Sequence, residues 1–242
     1  MIDWHSHVLP GIDDGSRNVE ESVSMIQTLS SQGVKTVIAT PHFYANDESA
    51  DSFLERRTAA LELLNTQLSR DAPEIRCGAE VRYYPGISHL EDLKKLTIEG
   101  SKLLLLEMPI MGWTEYTVRE LMALSRRNDI CLVLAHAERY MSLQKKAMWE
   151  ELRDYGVLIQ SNASFFTAWH TRHKAISFLR EGYIQFVGSD SHNMTSRPPQ
   201  LGKALATIQK KLGDDYINQM NSYGYSKFTI SPKVASSYID NR

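Results

Sequence analysis

Apolar positions along this chain follow two rhythms that take turns. Residues 34–39, 102–106 and 130–135 are apolar runs with almost no internal alternation, which reads as strands covered on both faces. Between such runs, apolar residues recur every third or fourth position, as helices with one buried face require. Asn18-Val19-Glu20-Glu21 is a capping-box-like start, Val23, Ile26 and Leu29 follow at helical spacing, and Gly33 closes that helix. Strands are expected near residues 2, 36, 78, 104, 133, 159 and 186, the third covering 75–81 and the last two 157–162 and 184–188. Further helices are expected over 51–69, 89–96, 117–127, 143–155, 170–181, 199–212 and 215–220. The tail beyond Tyr225 has strand character at Phe228, Thr229 and Ile230 but no place in this series.

Strands alternating with helices imply a parallel sheet with right-handed crossovers. No linker and no internal repeat interrupts the series, so residues 1–242 are expected to form a single α/β domain. The pattern alone leaves open a doubly wound sheet or a closed barrel.

Composition narrows the class. A hydrophobic content of 42% is enough for a full core, and a formal charge of -2 gives no reason to expect nucleic acid or a membrane surface as partner. No apolar run approaches the roughly 20 residues that a membrane span needs. No basic segment followed by an apolar stretch opens the chain, so no signal peptide and a cytoplasmic location are expected. Cys77 and Cys131 lie inside strand-like runs and read as buried reduced thiols. Cys77 and Arg82 are one residue short of the Cys-x5-Arg spacing of cysteine phosphatases, and no glycine-rich cradle follows, which excludes that mechanism.

The chemistry gathers where strands end. His5 and His7 stand two apart at the end of the first strand, so both rings point to one side and a single metal ion can take both. Asp14 lies in the loop Gly11-Ile12-Asp13-Asp14-Gly15 and can reach the same place, with Asp13 its rival and a plain turn aspartate the simpler reading. His42 follows a buried strand and Pro41. Glu80 and Glu107 interrupt apolar strands, where a carboxylate is costly unless it is paired or binds metal. His136 ends another apolar strand, and Asp190 and His192 repeat the two-apart spacing. An open sheet would draw such residues only from strands beside one switch point, whereas these come from nearly all. They therefore favour a seven-stranded barrel with its site at the C-terminal face.

Oxygen and imidazole donors without thiolate suit Mn²⁺, Fe²⁺ or Zn²⁺, and nine donors are too many for one ion. A site of two or three ions sharing a carboxylate follows, and such sites usually hydrolyse. Arg139 and Arg197 lie in loops just past ligand positions. They read either as a phosphate grip or as loop salt bridges, for instance with Glu138. His89, His170 and His173 fall in helical stretches and read as surface residues. Phe43, Tyr44, Tyr83, Tyr84, Trp113 and Tyr116 either wall the mouth or pack the loops.

These motifs resemble the polymerase-and-histidinol-phosphatase (PHP) superfamily, and within it the bacterial metal-dependent protein-tyrosine phosphatases of capsule and exopolysaccharide operons. The stretches that carry the resemblance are the string from Ile2 through His5-Ser6-His7-Val8-Leu9-Pro10-Gly11-Ile12-Asp13-Asp14-Gly15, Ala39-Thr40-Pro41-His42, Gly78-Ala79-Glu80-Val81-Arg82, Leu106-Glu107-Met108-Pro109, Ala135-His136-Ala137-Glu138-Arg139-Tyr140, and Ser189-Asp190-Ser191-His192-Asn193 with Arg197-Pro198-Pro199. They span nearly the whole chain in family order.

The resemblance implies a distorted seven-stranded (β/α)7 TIM-like barrel and three metal positions. His5, His7, Glu80 and Asp190 would hold the first ion. Glu80 would bridge to a second with Glu107 and His136, and Asp14, His42 and His192 would hold the third. Arg139 and Arg197 match positions that grip phosphate. Ala137 replaces the proline common in the family, which bears on the placing of Arg139. The implied activity is hydrolysis of phosphotyrosine on proteins by a metal-activated hydroxide, without a phosphoenzyme, Mn²⁺ being the expected metal. The implied partner is the tyrosine-rich tail of a membrane-associated bacterial kinase that controls polysaccharide export. The alternative is a small-molecule phosphoesterase such as a histidinol-phosphate phosphatase.

Overall fold

The computed structural model describes residues 1–228. Nine strands are present: β1 (Ile2–Ser6), β2 (Thr36–Ala39), β3 (His42–Phe43), β4 (Glu74–Cys77), β5 (Glu80–Arg82), β6 (Leu103–Glu107), β7 (Cys131–Ala135), β8 (Leu158–Asn162) and β9 (Phe186–Gly188). Eight α-helices accompany them: α1 (Val19–Ser31), α2 (Ala50–Asn65), α3 (Glu115–Ser125), α4 (Lys146–Asp154), α5 (Ala163–Thr167), α6 (Arg172–Arg180), α7 (Leu201–Leu212) and α8 (Asp214–Tyr225). Every strand pairing is parallel. The α/β alternation expected from periodicity is therefore observed.

The strand count is not the expected seven in one closed barrel. The strands form a three-stranded sheet, β1-β2-β4, and a six-stranded sheet, β3-β5-β6-β7-β8-β9. Pro41 supplies no N–H and separates β2 from β3, while Gly78-Ala79 separates β4 from β5. The two breaks lie side by side. Gly78 N–H donates to the Ala39 carbonyl at 2.8 Å and Glu80 N–H to the Pro41 carbonyl at 3.0 Å. At the other margin the chain beyond β9 meets β1. Asp190 N–H donates to the His5 carbonyl at 2.8 Å and His7 N–H to the Ser191 carbonyl at 2.9 Å.

Local chemistry accounts for the helix ends. The Asn18 side chain accepts from Glu21 N–H at the start of α1, as the capping motif predicts, and Ser49 and Thr114 cap α2 and α3 the same way. Other boundaries differ from expectation. The 89–96 helix is a pair of short 3-10 turns, Ile87–His89 and Glu91–Leu96. The short helix α5 follows β8 without a sequence signal, and α8 runs on to Tyr225. Phe228 stacks on Trp4 with ring centroids 5.6 Å apart. Thr229 and Ile230, given strand character above, lie outside the described residues.

Side-chain parity sets the layers. Leu104 and Leu106 pack outward in the large core beneath the helices, whereas Leu103 and Leu105 face inward with Ile2, Trp4, Val133, Ala135 and Phe186. Glu107 continues the 103–105 series, so the strand that carries an apolar interior delivers a carboxylate at its C-terminal end. In β1 the register shifts between Asp3 and Ser6: three steps there match two between Val37 and Ala39 of β2. That extra residue lets His5 and His7 take over the interior from Ile2 and Trp4.

Candidate metal centre

All nine candidate ligands come together, from the C-terminal ends of strands or the loops just past them and, for His42 and Glu80, from the breaks after β2 and β4 where they open β3 and β5. Glu80 is the hub. Its Oε2 lies 3.2 Å from His5 Nε2, 3.2 Å from His7 Nε2 and 3.2 Å from His42 Nδ1, and its Oε1 lies 2.6 Å from His136 Nε2. Asp190 Oδ1 stands 3.8 Å from His5 Nε2 and 3.7 Å from His7 Nε2. Asp14 Oδ1 lies 3.2 Å from His42 Nε2 and 3.5 Å from His192 Nε2. The donor atoms gather into four overlapping groups: His5, His7 and Glu80; His5, His136 and Asp190; His7, Asp14, His42 and His192; and His42, Glu80 and Glu107. Glu107 thus falls in with His42 and Glu80, where the resemblance pairs it with Glu80 and His136. His89, His170 and His173 are exposed and away from this cluster, as expected.

Two of these residues have strained backbones. His136 has φ 49° and Asp190 φ 52°, the left-handed region that a side chain rarely occupies. Side chains and strand ends hold them there. The Gln160 Oε1 accepts His136 N–H at 3.0 Å, and the His5 carbonyl holds Asp190 N–H.

A layer of polar residues stands behind the donors, in a supporting role that the sequence patterns above do not assign. Asp13 Oδ2 lies 2.7 Å from His7 Nδ1 and accepts His42 N–H at 3.0 Å, while its Oδ1 accepts Gly15 N–H at 3.0 Å. The rivalry between the adjacent aspartates resolves into two places: Asp14 beside His42 and His192, Asp13 behind His7. Gln160 Oε1 lies 3.3 Å from His5 Nδ1, and Asn162 Oδ1 lies 2.9 Å from His136 Nδ1. Asn162 Nδ2 also donates to Asp190 Oδ2 at 2.8 Å. Such outer partners fix imidazole tautomer and orientation. Gln160 and Asn162 had a signal of the kind given by Glu80 and Glu107, since both are polar residues on the inward parity of an apolar strand.

Three arginines reach the acids from the open side. Arg139 donates to Asp190 Oδ2 at 2.8 Å and to Glu107 Oε1 at 3.4 Å, and Arg197 to Asp190 Oδ2 at 2.7 Å. Arg82, quoted above only as part of a motif, donates to Glu107 Oε2 at 2.7 Å. Arg139 and Arg197 also line a cleft of about 340 Å³ with Asn162, Ser164 and Ser196.

The field at the cluster is that of a cation site. Burial works against a charge on His7, yet the Asp13 and Glu80 carboxylates push its pKa up to about 10. Burial likewise opposes charge on His136, and Glu80 raises it to about 9. Burial would raise Glu80, but His5 and His136 hold it well below the usual carboxylate range. Burial and the charge on His7 lower His192 to about 4. Carboxylates that draw protons onto buried imidazoles draw metal ions by the same attraction, and the ion displaces the protons. The donor set fits divalent ions on independent grounds. Asp190 Oδ1, His42 Nδ1 and His192 Nε2 are buried and make no hydrogen bond, an expensive state for polar atoms unless an ion takes them. Cys77 and Cys131 contribute nothing here.

The family model for capsular polysaccharide synthesis proteins CpsB/CapC matches residues 1–227. The tyrosine-protein phosphatase CpsB of Streptococcus pneumoniae is 31% identical over 229 residues, covering 88% of this chain and 91% of that protein. The tyrosine-protein phosphatase YwqE of Bacillus subtilis is 30% identical over 227 residues, covering 89% and 86%. Among solved structures, a chain from the work on YwqE of Bacillus subtilis and CpsB of Streptococcus pneumoniae, described as unique metal-dependent tyrosine phosphatases, superposes with a TM-score of 0.72. It covers 92% of both chains at 23% identity and so has the same fold.

Proposed function

The chain belongs to the capsular polysaccharide synthesis family CpsB/CapC, and from that premise we propose that it is a metal-dependent protein-tyrosine phosphatase. The observation that carries the reading is the convergence of four overlapping donor groups beside two guanidiniums that share Asp190. His5, His7, Asp14, His42, Glu80, Glu107, His136, Asp190 and His192 would hold two or three divalent ions; these donors accept Mn²⁺, Fe²⁺ or Zn²⁺, and the family resemblance favours Mn²⁺. When bound, such ions supply a water acidic enough to act as nucleophile near neutral pH and positive charge for the phosphoryl oxygens.

The remaining work falls to side chains. Arg139 and Arg197 are about a third exposed, at 32% and 39%, and a fork-shaped guanidinium matches phosphate oxygens as the charge on them grows. Asn162 holds both His136 and Asp190, so it fixes a metal ligand against the residue that anchors both arginines. Cys77 does not serve as a nucleophile, because burial pushes its thiol up to about 11, too high to ionise near neutral pH. A phenolate with a parent pKa near 10 leaves without strong help from an acid.

The reading extends to the frame and the partner. The bonds between β1 and the segment after β9, with the paired breaks at Pro41 and Gly78, support treating the two sheets as one distorted seven-stranded barrel. No helix among the described residues is long and apolar enough to cross a membrane. The substrate we assign is the tyrosine-rich tail of a membrane-associated kinase, reached from the cytoplasm. Release of phosphate from a phosphotyrosine peptide tests the proposal, with metal-stripped protein before and after addition of Mn²⁺. Restored turnover, with phosphoserine peptides and histidinol phosphate poor by comparison, is the expected result. Preference for histidinol phosphate would transfer the site to small-molecule metabolism, and no turnover with any divalent metal would overturn the proposal.

A further inference from the structure

Three of the aromatic side chains expected around the mouth are engaged by the protein itself. Phe43 is buried against Phe53, Tyr83 donates its hydroxyl to Glu120, and the Trp113 ring lies against Tyr140 and Trp149. Tyr44 differs. Its ring lies over the His42 imidazole at a centroid separation of 5.6 Å and an interplanar angle of 28°, yet the side chain remains 39% exposed. Among the described residues its hydroxyl makes no hydrogen bond, and its one aromatic neighbour is the imidazole of His42. Tyr44 therefore stands against a candidate ligand of the metal centre with part of its side chain open to solvent.

We propose that Tyr44 determines the leaving-group preference: its exposed part takes the phenyl ring of an aryl phosphate and so favours phosphotyrosine over alkyl phosphates. The inference rests on the phosphatase reading above and names the substrate class of the same site. His42 is a candidate ligand, so a ring stacked on it is one layer from the ions. The phenyl group of an aryl phosphate is likewise one ester oxygen from the phosphorus the ions would hold. Offset aromatic pairs form at such separations. A serine or threonine phosphate brings no ring and gains nothing from Tyr44.

The test compares two peptides identical except for phosphotyrosine or phosphoserine, using Mn²⁺-loaded wild type, Tyr44→Ala and Tyr44→Phe. Each protein is also titrated with Mn²⁺. In Tyr44→Ala the ratio of kcat/KM for the two peptides should fall about two- to tenfold, mostly through KM for the aryl ester. Tyr44→Phe, which keeps the ring, should keep the wild-type ratio. An equal fall for both peptides with weaker Mn²⁺ binding would mean that Tyr44 only steadies His42, and would overturn the inference. An unchanged ratio in Tyr44→Ala would overturn it as well. Wild type inert toward both peptides would overturn the phosphatase reading and this inference together, whereas an active wild type with an unmoved ratio removes the inference alone.

Discussion

Replacing each of the adjacent aspartates by asparagine separates two roles that sequence could not. The Asp13 side chain is 6% exposed and the Asp14 side chain 64%. Asp13 accepts from three groups: Gly15 N–H on Oδ1, and the His7 ring and His42 N–H on Oδ2. In Asp13→Asn one of the two oxygens becomes an NH₂. Whichever way the amide turns, at least one buried donor faces another donor. A buried group left unsatisfied costs about 1–3 kcal/mol, and that is the expected loss of metal-free stability. His7 also loses the partner that orients it, and losses of that kind lower metal affinity about 10- to 100-fold, or roughly 1.4–2.7 kcal/mol. Asp14→Asn should leave metal-free stability within about 0.5 kcal/mol, because the side chain is in water, yet weaken binding at the group it shares with His42 and His192. Denaturant unfolding of the stripped proteins and calorimetric Mn²⁺ titration measure both terms. His7 holds the Asp13 carboxyl below the usual range despite burial, so its contribution is fully present above about pH 4 and is lost only as acid protonates it. An unfolding midpoint unmoved by Asp13→Asn, or a larger stability loss in Asp14→Asn, would refute this division of labour.

Two further substitutions probe the frame and the acid that both arginines share. A Cβ on Gly188 would stand 2.5 Å from His5 Cβ and 2.8 Å from His5 N, so Gly188→Ala must push β1 away from β9. It should cost about 1–3 kcal/mol and weaken Mn²⁺ binding, and a melting curve with a metal titration equal to wild type would rule that out. Asp190→Ala removes the acceptor shared by Arg139, Arg197 and Asn162 and should abolish Mn²⁺-dependent turnover while the circular dichroism spectrum persists. Full activity in that variant would sink the site assignment.

Periodicity made the alternation of strands and helices legible because burial on both faces leaves an unbroken apolar run. It could not reveal where runs break. The 75–81 stretch reads as one strand, but Gly78-Ala79 divides it into β4 and β5, and Pro41 separates β2 from the short strand β3 that follows it. Both breaks are properties of backbone pairing between segments distant in sequence. The helix α5 was missed for a related reason. At five residues it offers no periodicity to read, and it holds its place by packing on its neighbours, with Ala163, Phe165 and Phe166 buried.

The candidate ligands on or just past strands were legible because each puts a charge or imidazole where the apolar pattern should continue, a signal that Asp14, in a turn, lacks. Their supports were legible only in part. Asp13 looks like any turn aspartate, and the register shift in β1 that turns His5 and His7 inward exists only in relation to β2. The same geometry argues that these residues will not behave as independent contributors. Glu80 alone touches four imidazoles, from His5, His7, His42 and His136, and each of those belongs to at least one further donor group or hydrogen bond. Removing any one member leaves the others with the wrong charge balance around a buried carboxylate. Losses from single and double substitutions should therefore saturate early instead of adding. A residue-by-residue scan would read as uniform importance where the physical unit is one carboxylate and the imidazoles arranged around it.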